Sequence, residues 1–418
     1  MVNIRKHIYV YADWIGLGRA ILMGVLSVDV VRGSEVFAFS YEKEWLKNRF
    51  SMQLDPDLHL YSGDQYLSEN KSNFGVFIDS CPDRWGRVLL KRREAILARK
   101  ENREHSKLHE SDFLLGVYDG NRMGGLRFKL DPLGNFLDDN RLLATPPWSS
   151  LRELEVASAK LEEDGVENSK EYLKWLSMLI TPGSSLGGAR PKASVIDEDN
   201  NLWIAKFPSR FDDSNSGAWE MVAYQIAIDA GIKMSESRVG KYNSSGHTFL
   251  TKRFDRTHNQ RIHFASAMTC LGRVDGQNDV SYLEIAEFIA HNGSQINKDL
   301  EQLWRRIVLS ICISNVDDHL RNHGFILEKS GWRLSPAYDI NPDRDGNGLN
   351  LNISEYDNSQ DLGLALSVIR QFRIEPAKAN KIILQVKKAC QKWQKHASKL
   401  GISTAKQDLM SRAFRCAY

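Results

Sequence analysis

The stretch Asn315-Val-Asp-Asp-His-Leu-Arg-Asn322 carries the pattern on which fold and chemistry depend. It places a carboxylate, Asp317, five residues before an amide, Asn322. A short loop at that spacing can direct both side chains into one cleft. A second carboxylate, Asp339, follows in Ser335-Pro-Ala-Tyr-Asp-Ile-Asn341. Mg²⁺ is a hard cation that prefers oxygen ligands, so Asn322 and Asp339 are its candidate ligands.

The residues upstream agree with phosphoryl transfer from ATP. That reaction needs a loop over the phosphates, a cation on their oxygens, metal ligands and a carboxylate that orients the nucleophile. The Gly-rich segment Ser184-Ser-Leu-Gly-Gly-Ala-Arg-Pro-Lys192 supplies backbone N–H groups and two cations. Lys206, in the strand that follows, matches the phosphate-pairing lysine of kinases, and Glu220 on the next helix is its candidate partner.

Each signal alone has a plainer interpretation. Gly187-Gly188 is a common turn, Lys206 is typical of a solvated strand lysine, and Asp-x-x-x-x-Asn arises often by chance. Asp317, Asp318, His319 and His323 could instead form a metal cluster. A metal hydrolase that uses Asp317, His319 and His323 is a further alternative. The joint order of loop, lysine, glutamate, Asp-x-x-x-x-Asn and aspartate favours a kinase, with Glu220 as its weakest member.

Composition is that of an ordinary globular protein. The 418 residues are 42% hydrophobic and 26% charged, and the net charge of +3 is too small to indicate nucleic-acid binding. The five cysteines are scattered without a CxxC pair, which predicts neither a disulfide framework nor a zinc site. No apolar stretch approaches transmembrane length and no signal-peptide core precedes the first strand. A cytoplasmic protein without membrane contact is therefore expected.

Periodicity predicts a mixture of strands and helices. The predicted strands are His7–Trp14, Val36–Tyr41, Ala193–Ile196, Leu202–Phe207 and Thr248–Phe254. The predicted helices are 82–105, beginning at Pro-Asp, 151–180, and Ala218–Ala230, with Gly231 as C-cap. From Tyr282 onward the pattern is mainly helical, except over 314–353.

Four segments together resemble the HipA family, the serine/threonine kinase toxins of bacterial type II toxin–antitoxin systems. They are Ser-Leu-Gly-Gly-Ala-Arg-Pro-Lys192, Lys-Arg-Phe-Asp-Arg256, Asn-Val-Asp-Asp-His-Leu-Arg-Asn322 and Leu-Ser-Pro-Ala-Tyr-Asp339. N-terminal segments are similar as well, namely Phe-Ala-Phe-Ser-Tyr-Glu-Lys-Glu-Trp-Leu46, Asp-Arg-Trp-Gly-Arg87 and Gly-Gly-Leu-Arg-Phe128. The resemblance spans nearly the whole chain.

The resemblance implies an α+β, bilobal protein-kinase-like fold with a β-rich N-terminal subdomain and a mainly helical C-lobe. We predict a HipA-type subdomain over 1–112, a kinase N-lobe with the Gly-rich loop over 113–256, and a helical C-lobe over 257–418.

The family's functional residues can be carried over by position. Asp317 would accept the substrate proton, and Asn322 and Asp339 would bind Mg²⁺. Lys252, Arg253 and Phe254 would form the hinge beside adenine. The remaining ATP-binding residues would be Gly187, Gly188, Ala189, Arg190, Pro191, Lys192, Lys206, His319, Leu320, Arg321, Asn322, Tyr338 and Asp339. Autophosphorylation would fall on Ser185, with Ser184 as the alternative. Asp318 stands where some members have glycine, which places an extra carboxylate beside the metal site.

The family also implies partners. Its members phosphorylate a translation component, typically an aminoacyl-tRNA synthetase, and are held in check by a small helix-turn-helix antitoxin, through which DNA contact would be indirect. A small-molecule kinase and a catalytically weak, antitoxin-binding corepressor remain the alternatives.

Residues 378–399 predict an amphipathic helix with a lysine-rich face. A solvated surface helix is the plainer interpretation, and a contact with tRNA, an acidic substrate or antitoxin-bound DNA is the other.

Overall fold

The computed structural model describes residues 5–68, 71–137, 145–163, 165–169, 171–180, 188, 190–243, 246–257, 260–277 and 279–418. The chain forms two compact units. Unit 1 comprises Met1–Arg210 and Asp255–Ala265, and unit 2 comprises Phe211–Phe254 and Ser266–Tyr418. The domain boundaries at 112 and 256 stay predictions.

The strands, in chain order, are β1 (Lys6–Ala12), β2 (Ile21–Val31), β3 (Ser34–Tyr41), β4 (Gln65–Tyr66), β5 (Leu126–Lys129), β6 (Lys192–Ile196), β7 (Leu202–Lys206), β8 (Ser237–Gly240), β9 (Thr248–Lys252), β10 (Arg256–Thr257), β11 (Gln260–Arg261), β12 (Phe264–Ser266), β13 (Gly324–Glu328) and β14 (Gly331–Leu334).

The α-helices are α1 (Lys43–Leu46), α2 (Gly75–Ile78), α3 (Arg84–Lys100), α4 (Glu110–Leu115), α5 (Leu151–Leu161), α6 (Tyr172–Ile180), α7 (Ser216–Asp229), α8 (Ala267–Cys270), α9 (Tyr282–Asn292), α10 (Ile296–Ile313), α11 (Leu362–Ser367), α12 (Pro376–Cys390), α13 (Trp393–Lys399) and α14 (Thr404–Met410).

Unit 1 contains an antiparallel sheet in the order β4-β3-β2-β1-β5. Alternate residues of β1, from Ile8 to Ala12, are fully buried, and Phe39 and Phe128 from neighbouring strands are buried with them. The alternation arises because successive side chains of a strand point to opposite faces of the sheet. α3 begins where Asp83 caps it, and the β6–β7 hairpin runs antiparallel with Lys192 opposite Lys206.

His263 is a buried titratable residue of unit 1. Its ring stacks on Trp14 at a centroid distance of 5.0 Å, and its Nδ1 accepts a hydrogen bond from the backbone N–H of Gly125 at 3.4 Å. Burial lowers the pKa of His263 to about 3. In the unfolded chain the pKa of this histidine returns to about 6.5, so below that pH the unfolded state binds more protons than the folded state. Acid therefore destabilises the fold through His263.

We therefore expect the free energy of unfolding to fall by about 2 kcal/mol more in the parental protein than in His263→Gln as the pH drops from 7 to 5. Urea titrations at both pH values measure this difference. His105→Gln, at an exposed position, is the matched control and should behave as the parental protein. Equal pH dependence in all three proteins would show that burial does not lower the pKa of His263 in the folded state.

Unit 2 is organised around α10, in which every residue from Leu303 to Ile313 is buried. A helix buried on all sides must be covered by neighbours, and α9, α11 and α12 pack against it. The indole of Trp304 donates to the carbonyl of Ala365 at 3.0 Å, which fastens α10 to α11. α10 ends at the segment that begins with Ser314, so the packed core of unit 2 holds that segment at its base.

Most elements predicted from periodicity are confirmed. α7 covers the predicted helix 218–230 except for Ala230, which is its C-cap, and Gly231 follows in a left-handed conformation at φ +77°. The predicted helix over 378–399 is wrong in one respect, because α12 and α13 are separate helices with a turn at Gln391 and Lys392. With this turn in place, Trp393 stacks on Phe414 at a centroid distance of 4.5 Å.

The basic face of α12 and α13 has partners within unit 2. Lys378 pairs with Glu301 at 2.6 Å, Lys392 pairs with Asp229 at 2.8 Å, and Lys387 donates to the carbonyl of Tyr418. These contacts favour the interpretation of a solvated surface helix. Among the described residues, no helix combines the length and apolar character needed to cross a membrane.

Candidate active site

The segment after α10 turns sharply at Ser314, whose φ of 51° lies in the left-handed region. Its hydroxyl donates to the carbonyl of Ala413 at 2.9 Å and accepts from Arg415 at 3.0 Å. A non-glycine residue costs free energy in this conformation and keeps it only where the surroundings enforce it. The C-terminal turns of the chain thus hold the start of the loop that carries Asp317.

Asp317 and Asn322 lie in one compact loop, as their spacing predicts. The side-chain amide of Asn322 donates from Nδ2 to the carbonyl of Asp317 at 2.9 Å, and the backbone N–H of His319 donates to the same carbonyl at 3.1 Å. Asp317 is exposed, whereas Asn322 is buried. The carboxylate is thereby accessible to a reactant, and the amide is held in a fixed orientation.

That orientation leaves the Oδ1 atom of Asn322 buried without a hydrogen-bond partner among the described residues. Buried polar atoms nearly always have partners, so this oxygen is available to accept a ligand. An amide oxygen beside carboxylates suits Mg²⁺. The residues at this position therefore fit the cation predicted from the sequence.

Asp339 belongs to a second segment, which is fastened to the loop at two points. The hydroxyl of Tyr338 donates to the carbonyl of Arg321 at 2.7 Å, and the N–H of Asn341 donates to Oδ1 of Asn315 at 3.1 Å. Asp339 has a φ of 56°, and aspartate and asparagine tolerate this region better than most residues. Backbone strain at a carboxylate held between two such contacts is typical of a functional site.

Asp318 faces the opposite way from its neighbour Asp317. It is buried, and its Oδ2 accepts hydrogen bonds from the hydroxyls of Tyr282 at 2.6 Å and Ser310 at 3.2 Å. Its Oδ1 lies 3.0 Å from Nε2 of His323. Burial raises the pKa of Asp318, but His323 and the two hydroxyls outweigh burial and hold the pKa below its ordinary value.

Asp318 is therefore a carboxylate that anchors the loop from below, with both oxygens engaged by the protein. The space beneath the loop, bounded by residues such as Arg306, Asn322 and Tyr338, measures about 10 Å³. That is no more than one water molecule requires, so the loop is closely packed on its support.

Three further predicted ATP-site residues follow Asp317. Leu320 is buried, and the Nδ1 atom of His319 is buried without a partner among the described residues. Arg321 forms a two-point ion pair with Asp275, with distances of 3.0 and 2.8 Å. The fork of a guanidinium suits this geometry, so Arg321 is held in one orientation.

The predicted hinge residues lie at the end of β9. The N–H of Lys252 donates to the carbonyl of Glu236 at 2.8 Å, and the hydroxyl of Ser235 donates to the carbonyl of Lys252. Arg253 is buried, and the ring of Phe254 lies 5.6 Å from that of Tyr338. Within unit 2, the structure thus brings the hinge beside the segment that carries Asp339.

The remaining candidates belong to unit 1, except Glu220, which is buried on α7. Arg190 donates from Nε to the carbonyl of Phe207 at 3.0 Å, and the N–H of Phe207 donates to the carbonyl of Pro191 at 2.9 Å. Lys192 is buried on β6, opposite the half-buried Lys206. Four predicted residues, Ser184, Ser185, Gly187 and Ala189, lie outside the described residues.

Sequence reasoning missed several residues that the structure places at these positions. Asn315 joins the two segments through its side chain, and Arg415 supports Ser314. Asn315 begins the Asn315–Asn322 stretch, but the spacing of Asp317 and Asn322 assigns it no role, and Arg415 lies in none of the motifs. In the described part of the chain, no group of three or more His, Cys, Asp or Glu side chains is placed so that it could hold a metal ion, and this includes Asp317, Asp318, His319 and His323.

The arrangement of an exposed aspartate, a metal-fitting amide and a strained second aspartate is that of a kinase-like protein. The model of the HipA-like C-terminal domain family matches residues 184–393, which is half of the chain. The chain therefore belongs to the HipA family.

Individual relatives are more distant. A protein of Haemophilus influenzae (strain ATCC 51907 / DSM 11121 / KW20 / Rd), named "Putative kinase", is 28% identical over an alignment of 179 residues, and the match covers 38% of this chain and 52% of that protein. The chain thus spans about half of the length of this relative.

Among solved structures, HipA of Shewanella oneidensis MR-1, from a complex of the toxin–antitoxin proteins HipA and HipB with operator DNA, has a TM-score of 0.68 at 14% identity. The match covers 99% of this chain and 96% of that chain. It confirms the predicted α+β, kinase-like fold. The proinflammatory kinase CtkA of Helicobacter pylori has a TM-score of 0.35 at 16% identity, over 54% of this chain and 95% of that chain.

Proposed function

We propose that the chain is an ATP- and Mg²⁺-dependent serine/threonine-protein kinase. The observation that carries the proposal is the loop from Asp317 to Asn322, in which the carboxylate is exposed while the amide is fixed with Oδ1 unpartnered. A kinase needs these two groups in these two states, because the carboxylate accepts a proton from a mobile substrate and the amide is a metal ligand that must stay in place.

In the proposed reaction, a substrate hydroxyl oxygen forms a bond to the γ-phosphorus of ATP while the bond from that phosphorus to the β,γ-bridging oxygen breaks. Asp317 orients the hydroxyl and takes its proton, and ADP leaves. Asn322 and Asp339 would hold Mg²⁺, which neutralises charge on the phosphate oxygens when bound. Lys206 would pair with the phosphates, and the main chain at Lys252 to Phe254 would bind adenine.

The family membership supports a role as the toxin of a toxin–antitoxin module. A helix-turn-helix antitoxin is the proposed partner, and the HipA of Shewanella oneidensis was solved with HipB and operator DNA. An aminoacyl-tRNA synthetase is the proposed substrate, and Ser185, or alternatively Ser184, is the proposed site of autophosphorylation. Phosphate there would place negative charge close to the bound nucleotide and repel it.

Purified protein incubated with a cell lysate and ATP labelled in the γ-phosphate tests the proposal. We expect label on the chain itself and on a distinct lysate protein, with Mg²⁺ required for both. If ATP is consumed while label appears only in a metabolite, the protein is a small-molecule kinase. If no ATP is consumed and the chain still binds an antitoxin, the corepressor alternative applies.

The metal assignment predicts a specific defect for Asp339→Asn. Asparagine tolerates the positive φ of this position, so the fold should be retained while a charged metal ligand is lost. We expect the Mg²⁺ concentration for half-maximal phosphotransfer to rise by more than about tenfold. Titration of phosphotransfer with MgCl₂ at saturating ATP measures it, and Asp357→Asn, at an exposed position, is the control. An unchanged Mg²⁺ requirement would remove Asp339 from the metal site.

A further inference from the structure

A buried ion pair joins α3 of unit 1 to the strand that follows the Gly-rich segment. The Nζ atom of Lys192 lies 2.8 Å from Oδ2 of Asp83. The two side chains are only 2% and 3% exposed. Two charges removed from water in this way are costly unless they are paired in a fixed geometry, so the geometry of each side chain depends on the other.

The position of Asp83 is set by the helix that it caps. Its Oδ1 accepts a hydrogen bond from the N–H of Gly86 at 2.8 Å. The turn is tight, because a Cβ atom on Gly86 would lie 2.7 Å from Cβ of Pro82. One carboxylate oxygen is thus fixed by the helix and the other faces Lys192. α3 therefore presents a negative charge at a defined point.

The position of Lys192 in turn affects the backbone at the end of the Gly-rich segment. Its ammonium donates to the carbonyl of Gly188 at 3.4 Å. Gly188 has a φ of +96°, which glycine adopts readily and other residues do not. Lys192 also stands opposite Lys206 in the β6–β7 register. The ammonium thus lies between a fixed carboxylate and a backbone carbonyl beside the proposed phosphate site.

We propose that Asp83 is a positioning residue of the nucleotide site, which holds the Lys192 ammonium and, through it, Gly188 in the place that the phosphates of ATP require. The inference rests on the proposed function. It gives a role in nucleotide binding to the N-terminus of α3, a helix that lies far from the kinase motifs in sequence. Asp83 touches no phosphate itself. Asp83 lowers the entropic cost of ATP binding, because the Lys192 ammonium and the Gly188 backbone are already ordered before ATP binds.

The test is a double-mutant cycle on Asp83→Asn and Lys192→Met, with the dissociation constant of Mg-ATP measured by calorimetry and KM for ATP and kcat by phosphotransfer. We expect Asp83→Asn to weaken ATP binding about 10- to 100-fold, since a charge-assisted contact is lost. KM should rise while kcat stays close to the parental value. In the Lys192→Met background, Asp83→Asn should cause no further loss, because Asp83 acts through Lys192.

The matched control is Glu110→Gln, which removes the ion pair between Glu110 of α4 and Arg87 of α3, the helix that Asp83 caps. It should leave ATP affinity unchanged. Urea unfolding of each variant separates loss of fold from loss of affinity. In the double variant both side chains are uncharged, so no unpaired charge is buried. If Asp83→Asn alone does not fold, Asp83→Glu keeps the charge but displaces it, and should also raise KM for ATP.

Three results would overturn the proposal. Folded Asp83→Asn with parental affinity would make the pair structural only, and tighter binding would mean that Asp83 competes with ATP for Lys192. An equal loss from Asp83→Asn with and without Lys192 would show that Asp83 does not act through the lysine. A parental protein that binds no Mg-ATP refutes the proposed function itself, and this inference falls with it.

Discussion

Asp317→Ala is expected to lower the rate of phosphotransfer about 10²- to 10⁴-fold, because the substrate hydroxyl loses the carboxylate that orients it and accepts its proton. The fold should be unaffected. Asp317 is exposed, and exposed substitutions usually change the free energy of unfolding by less than about 0.5 kcal/mol. Initial rates with labelled ATP, together with urea unfolding, measure both quantities.

Asp345→Ala is the control for a lost carboxylate, since its side chain is 76% exposed and pairs with Arg344 across the surface. It should keep the parental rate. Affinity for Mg-ATP should be similar in Asp317→Ala and the parental protein, because the metal ligands are intact. Phosphotransfer by Asp317→Ala at the parental rate would show that another group accepts the proton.

Asp318→Ala, one position further on, should have the opposite profile. It leaves the hydroxyl of Tyr282, the imidazole of His323 and the buried guanidinium of Arg306 without their shared anion. Removing one partner of a buried charged network costs about 3–5 kcal/mol. We expect the free energy of unfolding of the protein to fall by that amount, as measured by urea titration at pH 7.

Two comparisons isolate the cause. Tyr282→Phe removes one hydroxyl donor to the carboxylate and should cost about 1.5–3 kcal/mol, less than loss of the carboxylate itself. Asp317→Ala changes the adjacent carboxylate and should cost almost nothing. If Asp318→Ala is as stable as Asp317→Ala and instead alters the Mg²⁺ requirement, Asp318 belongs to the metal site and the buried network does not stabilise the loop.

The candidate site could be predicted in part because its chemistry is local. The spacing of Asp317 and Asn322 puts both in one short loop, and the loop is observed with the amide of one bonded to the carbonyl of the other. The cap of α3 at Asp83 likewise follows from a Pro-Asp start. These features depend on residues that are close together in the sequence, so the sequence alone can predict them.

Some structural features had no local signal. The β13–β14 hairpin lies within 314–353, where periodicity shows only an interruption of helix. Its strands are short, and Gly331 with a φ of +135° is a weak marker of the turn. The break between α12 and α13 also had no local signal, because the apolar spacing continues across it. Its consequence, the stacking of Trp393 on Phe414, is visible only in the tertiary structure.

By itself, the sequence determined the kinase-like chemistry that is proposed for this protein, its helices and strands of strong periodicity, and its family. It did so because a motif is a set of residue types at short spacing. Only the tertiary structure decided which of two adjacent aspartates faces solvent and which is buried, and that Asp83 meets Lys192. Identical side chains differ in role through burial and partners, and those come from residues that are distant in the chain and close in space.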